Sequence, residues 1–394
     1  MQTERRSIYH MLDALRGLAA ICVMCYHYGR FLSSGSFIGS SYLAVDLFFA
    51  LSGFVIAHAY DAKLERGLGF WAFLRIRLTR LHPLYILGTA IGFIFVLVRN
   101  VAEPTRMVPM ADLLVSLSKA IFLVPDTENT ENLVGTFPFD QAAWSLSFEL
   151  AINLLYVAFY RLLTIRRIVF IISACAAALI LCSFRDGDLD LGMTPATLSG
   201  GIARAGFSFF MGVLIFRTRG APASLMAPVG FVLVGVVFAV FAVSPVGWMR
   251  SVFDLVCTLA LFPIVICLAS RCDPLPVVGP LFDWAALVSY PIYILHGPVL
   301  EILTWLTRHV FAETSEQLRP FSGIAFVIVM LIVSRLSIAL YEQPIRRRLE
   351  ALALRNDGAA SPQFFRQSGT RLMRDADLSI PSVLREAPIP EGPI

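Results

Sequence analysis

Residues 42–60 read YLAVDLFFALSGFVIAHAY, an apolar run in which Asp46 is the one acidic residue. A run of roughly 18 or more apolar residues is long enough to cross the ~30 Å hydrocarbon core of a bilayer as a helix. Similar runs recur on both sides of it, and the spacing predicts spanning helices near 11–29, 42–60, 84–99, 141–161, 168–184, 198–216, 224–243, 251–270, 283–306 and 321–341. Composition agrees: 57% of the 394 residues are hydrophobic and only 15% charged, with a mean hydropathy of +0.73, well outside the soluble range. The expected fold is an all-α membrane protein, a bundle of about ten transmembrane helices.

Loop charges orient the bundle, because arginine and lysine collect on the cytoplasmic side. With Arg5 and Arg6 inside, the 61–83 connection with Lys63, Arg66, Arg75, Arg77 and Arg80 also falls inside. The stretch 111–124 then decides the rest. If it crossed, Arg161, Arg166 and Arg167 would be thrown outside and the acidic 126–140 loop inside. If it lies in the interface or is re-entrant, Arg166, Arg167, Arg217, Arg219 and Arg346 to Arg348 return inside, and Asp186, Asp188 and Asp190 fall outside. The second arrangement fits, with both termini cytoplasmic. Residues 1–350 read as one transmembrane domain and 351–394 as a mobile polar tail. The start of the chain does not read as a cleavable signal, since its apolar stretch is long and contains Asp13 and Arg16. The seven cysteines are scattered and offer no disulfide framework, and the net charge of +4 carries no indication of a nucleic-acid partner.

Ionisable side chains inside membrane spans are costly, so their default reading is functional or paired. The first span, LDALRGLAAICVMCYH, contains Asp13, Arg16 and His27. Arg16 and His27 are about three helical turns apart, so they leave one face roughly 16 Å from each other along the axis. Arg16 lies toward the cytoplasm and His27 toward the outer surface. Asp46 and Glu149, the latter in WSLSFEL, are expected at the depth of His27, where a carboxylate would orient the imidazole for proton transfer. The competing reading pairs each carboxylate with an arginine. On the inner side FLRIRLTRLHPLY places Arg77 and Arg80 on one face if helical, a cluster suited to phosphate, though positive-inside anchoring also accounts for it. SYPIYILHGPV puts Tyr293 and His296 within a span beside Pro291 and Pro298, as lining of a substrate path or as structural pairs. Ser52 and Gly53 read as close-packing positions.

Taken in order, LDALRGLAAICVMCYH, VDLFFALSGF, RLTRLHPLY, WSLSFE, SYPIYILH and YEQPIRR resemble the successive signatures of the acyltransferase-3 family of integral membrane proteins, over about residues 10–348. The resemblance implies a fold of ten spans and transfer of an acyl group, usually acetyl from acetyl-CoA, to a hydroxyl of an extracytoplasmic polysaccharide or glycolipid at a bacterial inner membrane. The family's arginine-to-histidine signature falls on Arg16 and His27, its paired arginines on Arg77 and Arg80, and its tryptophan-to-glutamate signature on Trp144 and Glu149. Ala44 departs from the family's glycine and Leu81-His82 from its Ile-aromatic pair, but neither change removes a proton-transfer group.

The mechanism expected from these residues has arginines Arg16, Arg77 and Arg80 holding the donor's phosphates at the inner face. His27 then deprotonates the acceptor hydroxyl from the outer side, with Asp46 or Glu149 orienting it and Trp144, Tyr293 and His296 lining the path. No metal is expected, because the sequence lacks a compact zinc-ligand spacing, and it also lacks a GxSxG elbow. A transporter or flippase for a lipid-linked sugar is the alternative from another class. A lipid, peptide or small metabolite as acceptor is the alternative within acyl transfer.

Overall fold

A computed structural model describes residues 9–32, 38–128, 132–133, 135–220, 225–272, 277–309 and 319–356. Arg5, Arg6 and the polar tail beyond 356 lie outside the described residues. The described chain is helical throughout its apolar runs: α1 (His10–Leu32), α2 (Ala44–Glu65), α3 (Phe70–Ala102), α4 (Met110–Ile121), α5 (Ala143–Ala158), α6 (Ile165–Asp186), α7 (Leu198–Thr218) and α8 (Ala227–Ala242). α9 (Trp248–Val256) and α10 (Phe262–Ala269) join through a π turn, as do α12 (Arg319–Ser337) and α13 (Gln343–Asn356), with α11 (Gly279–His309) between the two pairs. All of the expected spans are helices; among the described residues seven are long and apolar enough to cross a bilayer, α5 and α8 are shorter, and α1, at 23 residues, is long but not among the seven. Local signals set some ends. Thr164 caps α6 by accepting from the Arg167 backbone N–H, and Gly187 at φ 90° closes it in the left-handed conformation.

One boundary differs from expectation. The 61–83 connection is almost entirely helix: α2 runs to Glu65 and α3 begins at Phe70, continuing through Pro83 to a length of 33 residues, about 50 Å. A proline there removes one hydrogen bond and disfavours helix before it. The buried stripe Phe73, Arg77, Leu81, Leu84, Tyr85 and Gly88 keeps its helical spacing across Pro83, so burial against the bundle outweighs the local penalty. The Arg77 and Arg80 region is therefore the first part of a long helix. Likewise α13 continues past residue 350, so the expected domain boundary falls inside a helix.

α2 and α7 form the buried centre, in contact through small residues. A methyl group on Gly53 would overlap the Phe209 carbonyl oxygen, and one on Gly212 would overlap that of Ala50, so the two backbones touch. Lipid-facing residues such as Phe170, Leu181, Phe321 and Ile324 are exposed on α6 and α12.

Contact registers decide how α4 lies. Along α2 and α7, Asp46 meets Arg204 and Asp61 meets Arg217, so these helices run parallel. Along α1 and α11, His10 meets Asp283, Gly17 meets Ala285 and His27 meets His296, again parallel. With every other expected span crossing, both relations hold only if α4 does not cross; one more crossing would make each pair antiparallel. At 12 residues α4 is about 18 Å long, short of the hydrocarbon thickness. It is tied down by Asp126, whose carboxylate accepts from Ser116 Oγ at 2.5 Å and Lys119 Nζ at 2.8 Å.

Candidate active site

α1 and α11, running in parallel, bring His27 and His296 together near the outer end of the bundle. His27 Nδ1 lies 3.1 Å from His296 Nε2, and His296 Nδ1 lies 3.0 Å from the carbonyl oxygen of Ile292, one turn earlier on its own helix. His296 is fully buried and His27 partly so. The two imidazoles stand at the junction of two small adjoining clefts, both lined also by Gln141 and Ala142. The first cleft continues to Glu301 and the second to Trp144, Tyr293 and Asp190. His27, Trp144, Tyr293 and His296, expected to share a path, thus line one cleft.

The expected carboxylate partners are engaged elsewhere. Both oxygens of Asp46 accept from Arg204, the closest contact being 2.7 Å, and the pair is sealed from solvent at 1% and 0% exposure. Arg204 also donates to the carbonyls of Tyr42 and Leu191, and the Trp144 ring covers its guanidinium at 5.4 Å. The Asp46 reading that this geometry favours is the interhelical ion pair. A buried guanidinium needs a carboxylate and several acceptors, and Asp46 on α2 supplies the charge. Gly192 completes this wall: at φ 118° its α-carbon packs directly on the Trp144 ring, where a side chain would collide.

Glu149 is paired too, and at another depth. Its Oε1 accepts from Arg77 at 2.8 Å and from Ser52 Oγ at 2.8 Å. Ser52 follows Asp46 by six residues, so Glu149 lies about 9 Å farther toward the inner side than the Asp46 ion pair. The expectation of one shared level for His27, Asp46 and Glu149 is therefore corrected. That expectation counted depth from where α5 begins, but α5 starts beyond a loop that dips into the bundle: Asp140, just ahead of it, is buried against Gly88 of α3 and Gly297 of α11. Burial, reinforced by the nearby Glu301, pushes the Asp140 carboxyl well above the usual carboxylate range.

Polar groups continue from the clefts toward the inner face. Tyr293, one turn below His296, shares a 2.7 Å hydrogen bond with Ser145, which is one turn above Glu149 on α5. Beside the Glu149 and Arg77 pair, three residues farther along α3, stands Arg80, within electrostatic range of Arg77, Arg16 and Arg346, with Glu342 as a neighbouring counter-charge. Arg80 is exposed at this inner end while these groups stand near it. The three arginines expected to act together are brought together, and Arg346 joins them. Such a cluster suits phosphate groups, which arginine binds through charge-assisted and bidentate hydrogen bonds. At the inner ends of α1 and α11, His10 bonds Asp283 at 2.6 Å beside Asp13, a cluster that ties the parallel helices together.

Arg204, Asp254 and Glu301 were missed by the sequence reading. Each is an ionisable residue inside an apolar span, so the same rule that singled out His27 would have flagged them. Asp254 accepts from Tyr42 at 2.7 Å and from the Leu189 backbone at 2.9 Å. Together with the Arg30 to Asp190 and Arg250 to Asp188 ion pairs, it pins the 187–194 loop as the outer wall of the cleft.

Comparison with known proteins matches this architecture to one family. The model of the acyltransferase domain family, acyltransferase-3, matches residues 9–338. Protein 2 in the picA locus of Rhizobium radiobacter is 37% identical over 183 residues, 44% of this chain and 93% of that protein. Acyltransferase MdmB of Streptomyces mycarofaciens is 29% identical over 187 residues, 44% of this chain and 45% of its own length. No solved structure matches the chain. The family match covers every helix that carries the cleft and most of those that carry the arginine cluster, and the chain belongs to the acyltransferase-3 family as a multi-pass membrane O-acyltransferase.

Proposed function

We propose that the protein transfers an acyl group, most simply acetyl from acetyl-CoA, to a hydroxyl of an extracytoplasmic polysaccharide or glycolipid at a bacterial inner membrane, with His27 as general base. The observation that carries this reading is the disposition of two groups of side chains in one bundle: a histidine-lined cleft near the outer end, a cluster of arginines near the inner end, and polar side chains between them. Arg16, Arg77, Arg80 and Arg346 suit the phosphates of an acyl-CoA, leaving its thioester to extend into the bundle. The acceptor hydroxyl gives its proton to His27 as its oxygen attacks the thioester carbonyl. The carbon–sulfur bond breaks, and the leaving thiolate takes the proton back from His27, giving an ester and free CoA thiol. Asp46 and Arg204 hold the cleft wall in this scheme, and Glu149 positions Arg77.

The test is to delete the gene and complement with wild type or His27→Ala at matched membrane abundance, then count base-labile O-acyl groups on surface polysaccharide by proton NMR. Restoration by wild type alone is expected, because general-base catalysis is worth about 10² to 10⁴ in rate. Unchanged ester content with loss of the polysaccharide itself would favour a transporter and remove the base. If neither changes, the acceptor is a lipid, peptide or small metabolite, and CoA release from acetyl-CoA in membrane vesicles becomes the assay.

A further inference from the structure

We infer that His296 is a positioning residue for His27, holding it in the tautomer whose Nε2 bears the lone pair that takes the acceptor's proton. The inference rests on the reading of His27 as the base. A carbonyl oxygen only accepts, so the hydrogen between Ile292 and His296 belongs to His296 Nδ1. A neutral imidazole protonated at Nδ1 has its lone pair at Nε2, and that lone pair faces His27 Nδ1 at 3.1 Å. His27 Nδ1 must then be the donor. With Nδ1 protonated, neutral His27 carries its basic lone pair on Nε2. The backbone carbonyl of one helix turn thereby dictates, through one intervening ring, which nitrogen of the base is active.

The surroundings allow both rings to be neutral. The charged and titratable groups about the pair are Tyr26 and Arg30 on α1, Tyr42 ahead of α2, Asp140 ahead of α5 against Gly297, Asp190 in the outer loop, Arg204 on α7, and Tyr293 and Glu301 on α11. Arg30 is balanced by Asp190 and Arg204 by Asp46, so the histidine pair needs no charge of its own to satisfy its hydrogen bonds. When His27 accepts a proton at Nε2, its Nδ1–H goes on donating to His296, and no rearrangement is required. This is the orienting role often filled by a carboxylate, performed here without an added negative charge. The alignment is built into the helix pair. Gly17 lets α1 lie directly on Ala285 about 15 Å below the rings, which sets the register that matches 27 to 296.

The experiment uses full-length protein labelled with ¹⁵N-histidine in lipid nanodiscs, where the six histidines allow His27 to be assigned by loss of its signals in His27→Gln. The expected wild-type result is a protonated Nδ1 and an unprotonated Nε2 on His27. His296→Gln keeps an acceptor oxygen near the position of His296 Nε2 and should preserve the tautomer and rescue ester content to well above that of His296→Leu. His296→Leu should leave His27 in a mixture of tautomers and lower ester content at least tenfold at matched abundance. A wild-type His27 protonated at Nε2 overturns the inference, whatever happens to the folding of the variants. So does a His296→Leu protein with unchanged ester content while His27→Ala is inactive, which leaves the base reading standing. Full ester content in His27→Ala instead removes the base reading and the inference with it.

Discussion

At the scale of single residues, the buried ion pairs separate structural from chemical roles. Asp46→Asn leaves the Arg204 guanidinium, at 0% exposure, without its counter-charge. Breaking a buried pair in this way costs about 3–5 kcal/mol, so we expect a clear drop in melting temperature of the detergent-solubilised protein. Activity per folded molecule should fall less than tenfold. A loss as complete as that of His27→Ala, at unchanged stability, would instead return Asp46 to the chemistry. Arg77 and Glu149 behave differently, because Arg77 also stands within electrostatic range of Arg80 in the inner arginine cluster. Arg77→Leu is expected to lower stability and to raise the KM for acetyl-CoA, whereas Glu149→Leu added to it should recover part of the stability and none of the donor affinity. Recovery of both in the double variant would show that Arg77 serves Glu149 alone. Sequence reading brought Asp46, Arg77 and Glu149 into view but not Arg204, and left each carboxylate between a histidine and an arginine, since a carboxylate in a span announces that it needs a partner and not which partner it has.

At the scale of elements, the position of the cleft depends on how closely α2 and α7 approach. Gly53 has no room for a side chain against the Phe209 carbonyl. Gly53→Val should therefore push the helices apart, strain the Asp46 to Arg204 contact two turns away, and reduce the amount of folded protein recovered from membranes. Size-exclusion profiles and thermal melts measure this, and a wild-type melt would show that the close contact is dispensable. α3 makes the complementary point. Local rules end a helix before Pro83, yet α3 runs unbroken from Phe70, because a continuous buried stripe outweighs one lost hydrogen bond. The consequence is functional: Arg77 and Arg80 are held on a rigid helix that enters the bundle, where a loop would have left them mobile at its edge.

At the scale of the whole molecule, the parallel relations of α2 with α7 and α1 with α11 make topology a testable property. Single cysteines at Glu128 and Arg166, placed in a chain with its seven native cysteines replaced, should label from opposite sides of the membrane, Glu128 from outside and Arg166 from inside. If α4 crossed, the two sides would be exchanged. Bringing residues 27 and 296 into one site requires the first and ninth spans to be neighbours, and only a correct count of crossings allows this.

The all-helical membrane fold, the approximate place of the spans and the short α4 were legible in the sequence, because apolar length and loop charge act locally and register directly in composition. The sequence also marked His27, Trp144, Tyr293 and His296 as residues of interest, since polar groups are conspicuous against an apolar background. Only the tertiary structure decided that His27 meets a second histidine, that Asp46 belongs to Arg204 and Glu149 to Arg77, and that α3 survives its proline. Those outcomes depend on pairings between helices far apart in the chain, where side-chain reach and close backbone packing select one partner among several of suitable charge.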